Sequence, residues 1–202
     1  MHERIISLYE DHAVAWDEAR GRALSEHERE PIERFLAEVP AGGTILDLGC
    51  GTGDPVATHL VERGCRVTGL DTSASLIGLA RARLPAGEWL VGDMRQVDLG
   101  RRFDGILAWN SFFHLPADDQ RAMFGRFAAH LLPGAPLSFT SGPDGGEAIG
   151  EWQGQPLYHA SLAPEDYCRL LKRHGFDLLS YRAGEPLAPG FSVWLARRTG
   201  RP

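Results

Sequence analysis

Cysteine is scarce in this chain of 202 residues. Cys50, Cys65 and Cys168 are too few and too scattered for a disulfide framework or a thiolate metal site. Their odd number suits a reducing compartment, and a cytoplasmic location is the expectation. No stretch is apolar over the roughly 18 residues a membrane helix needs, and the opening Met1-His2-Glu3-Arg4 is polar. Neither a span nor a signal peptide is expected. Positive charge is outnumbered, with 21 Lys and Arg against 27 Asp and Glu, a formal net charge of −6. With no basic stripe to offset it, a polyanionic partner is repelled, so nucleic acid is not expected as a partner. Arg197-Arg198 and Arg201 read as a solvated tail. Internal repeats and long linkers are also missing, so residues 1–202 are expected to form one domain with a sizeable core.

What is present concentrates in Thr44-Ile45-Leu46-Asp47-Leu48-Gly49-Cys50-Gly51-Thr52-Gly53-Asp54-Pro55. An apolar strand pattern runs through three alternate glycines into a helix start, the arrangement by which a backbone lets a nucleotide-like ligand approach closely. Gly49, Gly51 and Gly53 fit a dinucleotide loop, in which a pyrophosphate rests on the amides of the next helix. Asp54-Pro55, however, reads as an N-cap followed by the first helical residue, which puts a carboxylate where a phosphate would sit. S-adenosylmethionine carries a sulfonium, an ammonium and a carboxylate but no phosphate. Asp47 and the loop carbonyls suit its cationic amino-acid end.

ILDLGCGTG resembles motif I of the class I S-adenosylmethionine-dependent methyltransferases. Further strand ends fall in register with it. Cys65 to Leu70 reads as a second strand ending at Asp71-Thr72, about twenty residues on, where such folds place an acid for ribose hydroxyls. Glu88 to Val91 forms a third strand closed by Gly92-Asp93-Met94. The resemblance implies that Asp93 accepts from the adenine amino group and that Met94 packs on the ring. A fourth strand, Phe103 to Trp109, runs into Asn110-Ser111-Phe112-Phe113-His114-Leu115, which resembles the family's motif IV at the edge of the methyl-transfer site. The cofactor set is thus Asp47, Gly49, Cys50, Gly51, Gly53, Asp71, Thr72, Asp93, Met94, Trp109 and Asn110. The implied fold is α/β, a doubly wound and mostly parallel seven-stranded sheet with an antiparallel edge hairpin and helices on both faces.

Residues 1–40 are expected to supply N-terminal lid helices. Ser25 and Glu28 have capping-box spacing, and Ile32, Phe35, Leu36 and Val39 repeat at helical intervals before Pro40-Ala41-Gly42-Gly43. Upstream, Tyr9, Ala13, Trp16 and Arg20 share a helical face. Taken alone, that stripe reads as ordinary core with an exposed Arg. Many small-molecule methyltransferases open with a similar stretch folded over the cofactor, which adds Tyr9, Trp16 and Arg20 to the cofactor set. The core spans 41–142. In 143–202 come an irregular loop from Gly142 to Ser161, a helix beginning at Ala163-Pro164-Glu165, and two closing strands near 176–181 and 191–196. A loop of that length is usually functional.

The resemblance implies methyl transfer by in-line displacement, with S-adenosylhomocysteine as product. His114 and His159 are the candidate general bases for a protonated acceptor, each with a purely structural alternative. Trp152, Tyr158 and His159 are candidate substrate residues. Asn110-Ser111-Phe112-Phe113 lacks the diproline turn of amide methylases, which argues against DNA and protein glutamine as acceptors. No acidic set resembles the metal site of catechol-type enzymes, so metal-independent chemistry on a small, partly aromatic or heterocyclic acceptor is expected. Two other classes stay open: a non-catalytic cofactor-binding module, and an NAD-linked oxidoreductase, against which Asp54 counts.

Overall fold

The structure is a computed structural model that describes residues 4–184 and 191–200; Arg201 lies outside them. Thr44–Leu48 (β1) is buried along nearly its whole length, as expected of a parallel strand covered on both faces. Its neighbours are Arg66–Asp71 (β2), Glu88–Val91 (β3), Gly105–Ala108 (β4) and Pro136–Ser141 (β5), all parallel. Alternation along the strands separates two cores. Leu46, Leu48, Ile106, Ala108, Leu137 and Phe139 face a cluster built on Phe112, Phe124, Phe127, Tyr167 and Trp194. Ile45, Val67 and Leu107 face the other, with Ile32, Phe35, Leu60 and Trp89. Asp47 falls on the Ile45 face.

The sheet order is β3-β2-β1-β4-β5-β9-β8, in which Phe176–Arg182 (β8) and Ser192–Arg198 (β9) form the antiparallel hairpin at one edge. The chain leaves β1 toward β2 and β3, then crosses back to β4 and β5. A crevice therefore opens beyond the carboxyl ends of β1 and β4, where ligands of such sheets bind. The helices are Arg4–Asp11 (α1), Ala13–Arg20 (α2), Glu26–Leu36 (α3), Val56–Glu62 (α4), Ala74–Arg83 (α5), Ala117–His130 (α6) and Pro164–Arg173 (α7). Ser25 and Glu28 make the reciprocal capping box that starts α3. No helix among the described residues is long and apolar enough to cross a membrane.

Three expectations are corrected. The segment 142–161 is not irregular, because Gly146–Trp152 (β6) and Gln155–Ser161 (β7) pair as a separate two-stranded sheet. Gln153 and Gly154 both have positive φ, the type I′ geometry of a two-residue hairpin turn. Arg197 and Arg198 end β9 rather than forming a solvated tail. Arg197 pairs with Glu38, and Arg198 donates to the carbonyls of His174 and Gly175. Asp54 does not cap α4, which starts at Val56 after Pro55 without a side-chain cap. Its carboxylate instead accepts from the Thr58 hydroxyl and pairs with Arg22 at 2.9 Å.

Phe112 follows β4 and packs fully buried among Phe124, Phe127 and Phe139, with ring centroids 5.3 to 6.1 Å apart. Phe112→Ala is expected to cost about 3–5 kcal/mol, read as a lowered midpoint in denaturant unfolding.

Candidate functional site

The loop between β1 and α4 is held from three sides. The amides of Gly49 and Cys50 both donate to the Leu70 carbonyl at the end of β2, at 2.7 and 3.2 Å. The Gly51 amide donates to Asp71 Oδ2 at 2.9 Å, and the Ser111 hydroxyl donates to the Leu48 carbonyl at 2.6 Å. The three glycines have different reasons to be glycine, although all have positive φ. A Cβ on Gly49 would lie 2.2 Å from the Ser111 Cβ, and one on Gly53 would press on Leu84 and Trp89. A Cβ on Gly51 would meet only the Trp16 indole nitrogen, at 3.7 Å. Gly51 alone is reserved for open space.

That space is a cleft with two lobes whose walls share Trp16, Gly49, Gly51 and Asn110. The larger, about 790 Å³ with its mouth included, runs past Asp71 and Thr72 to Asp93 and Met94, under Ile5, Ile6 and Tyr9 of α1. The smaller, about 410 Å³, is bounded by Asp47, Cys50, Thr52, Arg20 and Trp109. Of the residues expected at the cofactor, only Gly53 lies outside both lobes. Trp152, Tyr158 and His159 line neither. Tyr158 is buried against Ile5 with its hydroxyl on Glu147 at 2.8 Å, and Trp152 packs edge-on against Trp16, with centroids 5.6 Å apart. His159 lines a separate depression beside Phe113, with its ring 5.0 Å from that of His114.

Electrostatically the cleft is acidic. Asp47 is 2% exposed, has no hydrogen bond to its carboxylate among the described residues, and is pushed up to about 7 by burial and by neighbouring Asp71. Burial also raises Asp71, against the stabilising amides of Ser73, Gly51 and Thr72. The arginines nearby are already paired. Arg95 holds Asp93, whose carboxyl is pushed up by burial yet stays below its ordinary range because the Arg95 guanidinium and backbone amide, with the charge of Arg126, together outweigh that. Arg20 is engaged by Glu28, which also accepts from the Trp109 indole at 3.2 Å. Glu28 was legible as a cap, but nothing in its spacing revealed that it orients Arg20 and Trp109. Ser111, which takes the Leu48 carbonyl and lines the larger lobe, likewise carried no signal beyond its place after Asn110.

His114 lines the larger lobe, and both its ring nitrogens are engaged. Nδ1 lies 2.8 Å from the Tyr158 carbonyl, which can only accept, so Nδ1 carries the proton. Nε2, 2.9 Å from the Tyr9 hydroxyl, is then the acceptor. Burial pushes this imidazole down to about 4, with the His159 ring adding to the effect and the Tyr158 carbonyl opposing it. It is a neutral group whose lone pair is already used.

The residues fit an S-adenosylmethionine-like ligand on chemistry of their own. A cradle at Gly51 lies between an acid at the end of β2 and a buried, unpartnered carboxylate that suits an ammonium. A polyphosphate would meet two carboxylates, and among the described residues the guanidinium groups of Arg20, Arg22, Arg83 and Arg95 are each already paired with a carboxylate. Asp54, neutralised by Arg22 and Arg83, contributes less to that discrimination than its place in the sequence implied.

The sheet order, its edge hairpin and the crevice beyond β1 and β4 define a class I, Rossmann-like methyltransferase fold. Residues 45–134 match the family model described as a methyltransferase domain. It is similar to dTDP-4-amino-2,3,4,6-tetradeoxy-D-glucose N,N-dimethyltransferase of Saccharopolyspora spinosa, 33% identical over 61% of this chain and 51% of that protein. It also resembles trans-aconitate 2-methyltransferase of Azoarcus sp. (strain BH72), 34% identical over 61% of this chain and 49% of that one. The chain thus spans about half the length of these curated relatives. Among solved structures, the S-adenosylmethionine-bound amino pentose methyltransferase of Micromonospora echinaspora superposes with a TM-score of 0.71 at 24% identity, covering 94% of this chain and 97% of that one.

Gly51→Val places a branched side chain at positive φ in the neck between the lobes. The expected stability loss is only the left-handed backbone penalty of about 1–2 kcal/mol, whereas S-adenosylmethionine binding is abolished. Melting curves with and without the ligand separate the two effects.

Proposed function

We propose that this protein transfers the methyl group of S-adenosylmethionine to a small-molecule acceptor. The observation that carries the reading is the two-lobed acidic cleft narrowing over Gly51. In this reading Asp71 accepts from the ribose diol, while Asp93 and Met94 take the adenine. Asp47 faces the ammonium, and Arg20, held in place by Glu28, faces the carboxylate. When bound, the cofactor supplies an already activated methyl group, so positioning and exclusion of water account for most of the acceleration asked of the protein. Tyr9 and Trp16 close the cleft from above, their rings edge to face at 5.0 Å. His114 fixes the Tyr9 hydroxyl rather than waiting as a free base, since its accepting nitrogen is occupied. The two curated relatives are named for an amino sugar and for a tricarboxylate, which favours a small acceptor and leaves its chemistry to be found by screening.

Calorimetric titration with S-adenosylmethionine, S-adenosylhomocysteine and NAD in parallel tests the proposal. Micromolar-range binding of the first two with none of NAD is expected; silence from both methionine derivatives would overturn it. The pH dependence follows from Asp47. Its ionised form binds the ammonium, so affinity falls as pH drops through about 7, and it falls again as a free α-amino group loses its proton near ~8. Asp47→Asn is expected to bind more weakly and to lose the acid limb of that profile.

A further inference from the structure

Asp17 stands out on α2 because it is only 6% exposed on a short helix. It receives two arginine forks. Arg22 donates through Nη1 and Nη2 at 3.0 and 2.9 Å, and Arg83 donates through both of its Nη atoms. Arg83 first, then Arg22 and Thr52 of the glycine loop, hold this carboxyl below its ordinary range against the opposing effect of burial. Asp54 completes the set. It binds Arg22 at 2.9 Å, lies 3.6 Å from the Arg83 Nε, and accepts from the Thr58 hydroxyl on its other oxygen. Two carboxylates and two guanidinium groups cancel in formal charge, so the cluster joins α2, the glycine loop, α4 and α5 without adding to the field in the cleft. Bidentate forks of this kind fix orientation as well as distance.

The adjoining residue is Trp16, which walls both lobes and whose indole nitrogen lies nearest the open space at Gly51. A second attachment lies at the opposite end of α5, where Glu10 of α1 accepts from the Ser73 hydroxyl and from the amide and hydroxyl of Ser75. An acid there also meets the positive end of the helix dipole. The ten residues of α5 extend roughly 15 Å, so the two lid helices are fastened at both of its ends.

We infer that Asp17 is a positioning residue: by strapping α2 to the glycine loop and to the end of α5, it holds Trp16 over Gly51 and sets how fast a cofactor leaves. The inference rests on the cofactor reading above. Loss of the strap frees the roof without touching any group that contacts the ligand.

The test measures the dissociation rate of S-adenosylhomocysteine by stopped-flow displacement, together with backbone hydrogen exchange of the ligand-free protein. Asp17→Asn is expected to release the ligand about tenfold faster, and to exchange faster over residues 13–20 while β1 and β4 stay protected. Arg83→Gln, at a partly exposed position, should reproduce both effects and serves if Asp17→Asn fails to fold. The double variant should add little to either single one. Wild-type release rates with unchanged protection of residues 13–20 would overturn the inference while leaving the cofactor reading intact. A wild-type protein that binds neither methionine derivative overturns the cofactor reading, and this inference with it.

Discussion

The Asp71 carboxylate takes the Gly51 amide on one oxygen and the Ser73 amide on the other, each at 2.9 Å. The end of β2 thereby fixes the crest of the glycine loop and the entry to α5 with one side chain. Both neighbours of the cleft inherit their positions from that bond. The loop brings Gly51 under Trp16, and α5 carries the attachments of both α1 and α2. Burying a carboxylate is costly unless hydrogen bonds replace its water, and here backbone amides do so. The same group therefore presents negative charge to the cleft and keeps the cleft's floor in shape.

A second regularity is that the basic groups around the site are already paired. Arg95 is taken by Asp93, Arg20 by Glu28, and Arg22 and Arg83 by Asp17 and Asp54. The unpaired charge the cleft offers a ligand is therefore that of Asp47 and Asp71, and Arg20 adds hydrogen-bond donors rather than net charge. Selectivity for a cation over a polyphosphate then arises from which charges are left over, not from how many are present. Asp54, the residue that first pointed toward a phosphate-free ligand, belongs to the cancelled set.

Much of this was legible in the sequence, for identifiable reasons. The apolar run of β1, the alternate glycines and the acids at the ends of β2 and β3 are local signals, and each lies where the sheet order brings it to one crevice. The Ser25 to Glu28 box was readable because a cap is decided within one turn. The hairpin of β6 and β7 was not. β6 is exposed along nearly its whole length and shows no apolar alternation, and Gln153-Gly154 lacks the asparagine or aspartate that usually marks a type I′ turn. Trp152 and Tyr158 were expected at the substrate because aromatic residues in a loop invite that reading. Within a hairpin they pack against Trp16 and Ile5. Partnerships across long separations, such as Glu28 with Trp109, leave no trace in spacing.

The fastenings of α1 and α2 also bear on how the molecule assembles. Tyr9 reaches His114 across 105 positions, Glu10 reaches Ser73 across 63, and Asp17 reaches Arg83 across 66. Closing such distances costs chain entropy before any contact returns it. During synthesis the first two helices emerge well before α5 and must wait for their anchor. The roof is thus the part of the molecule whose order depends on contacts with segments made long after it.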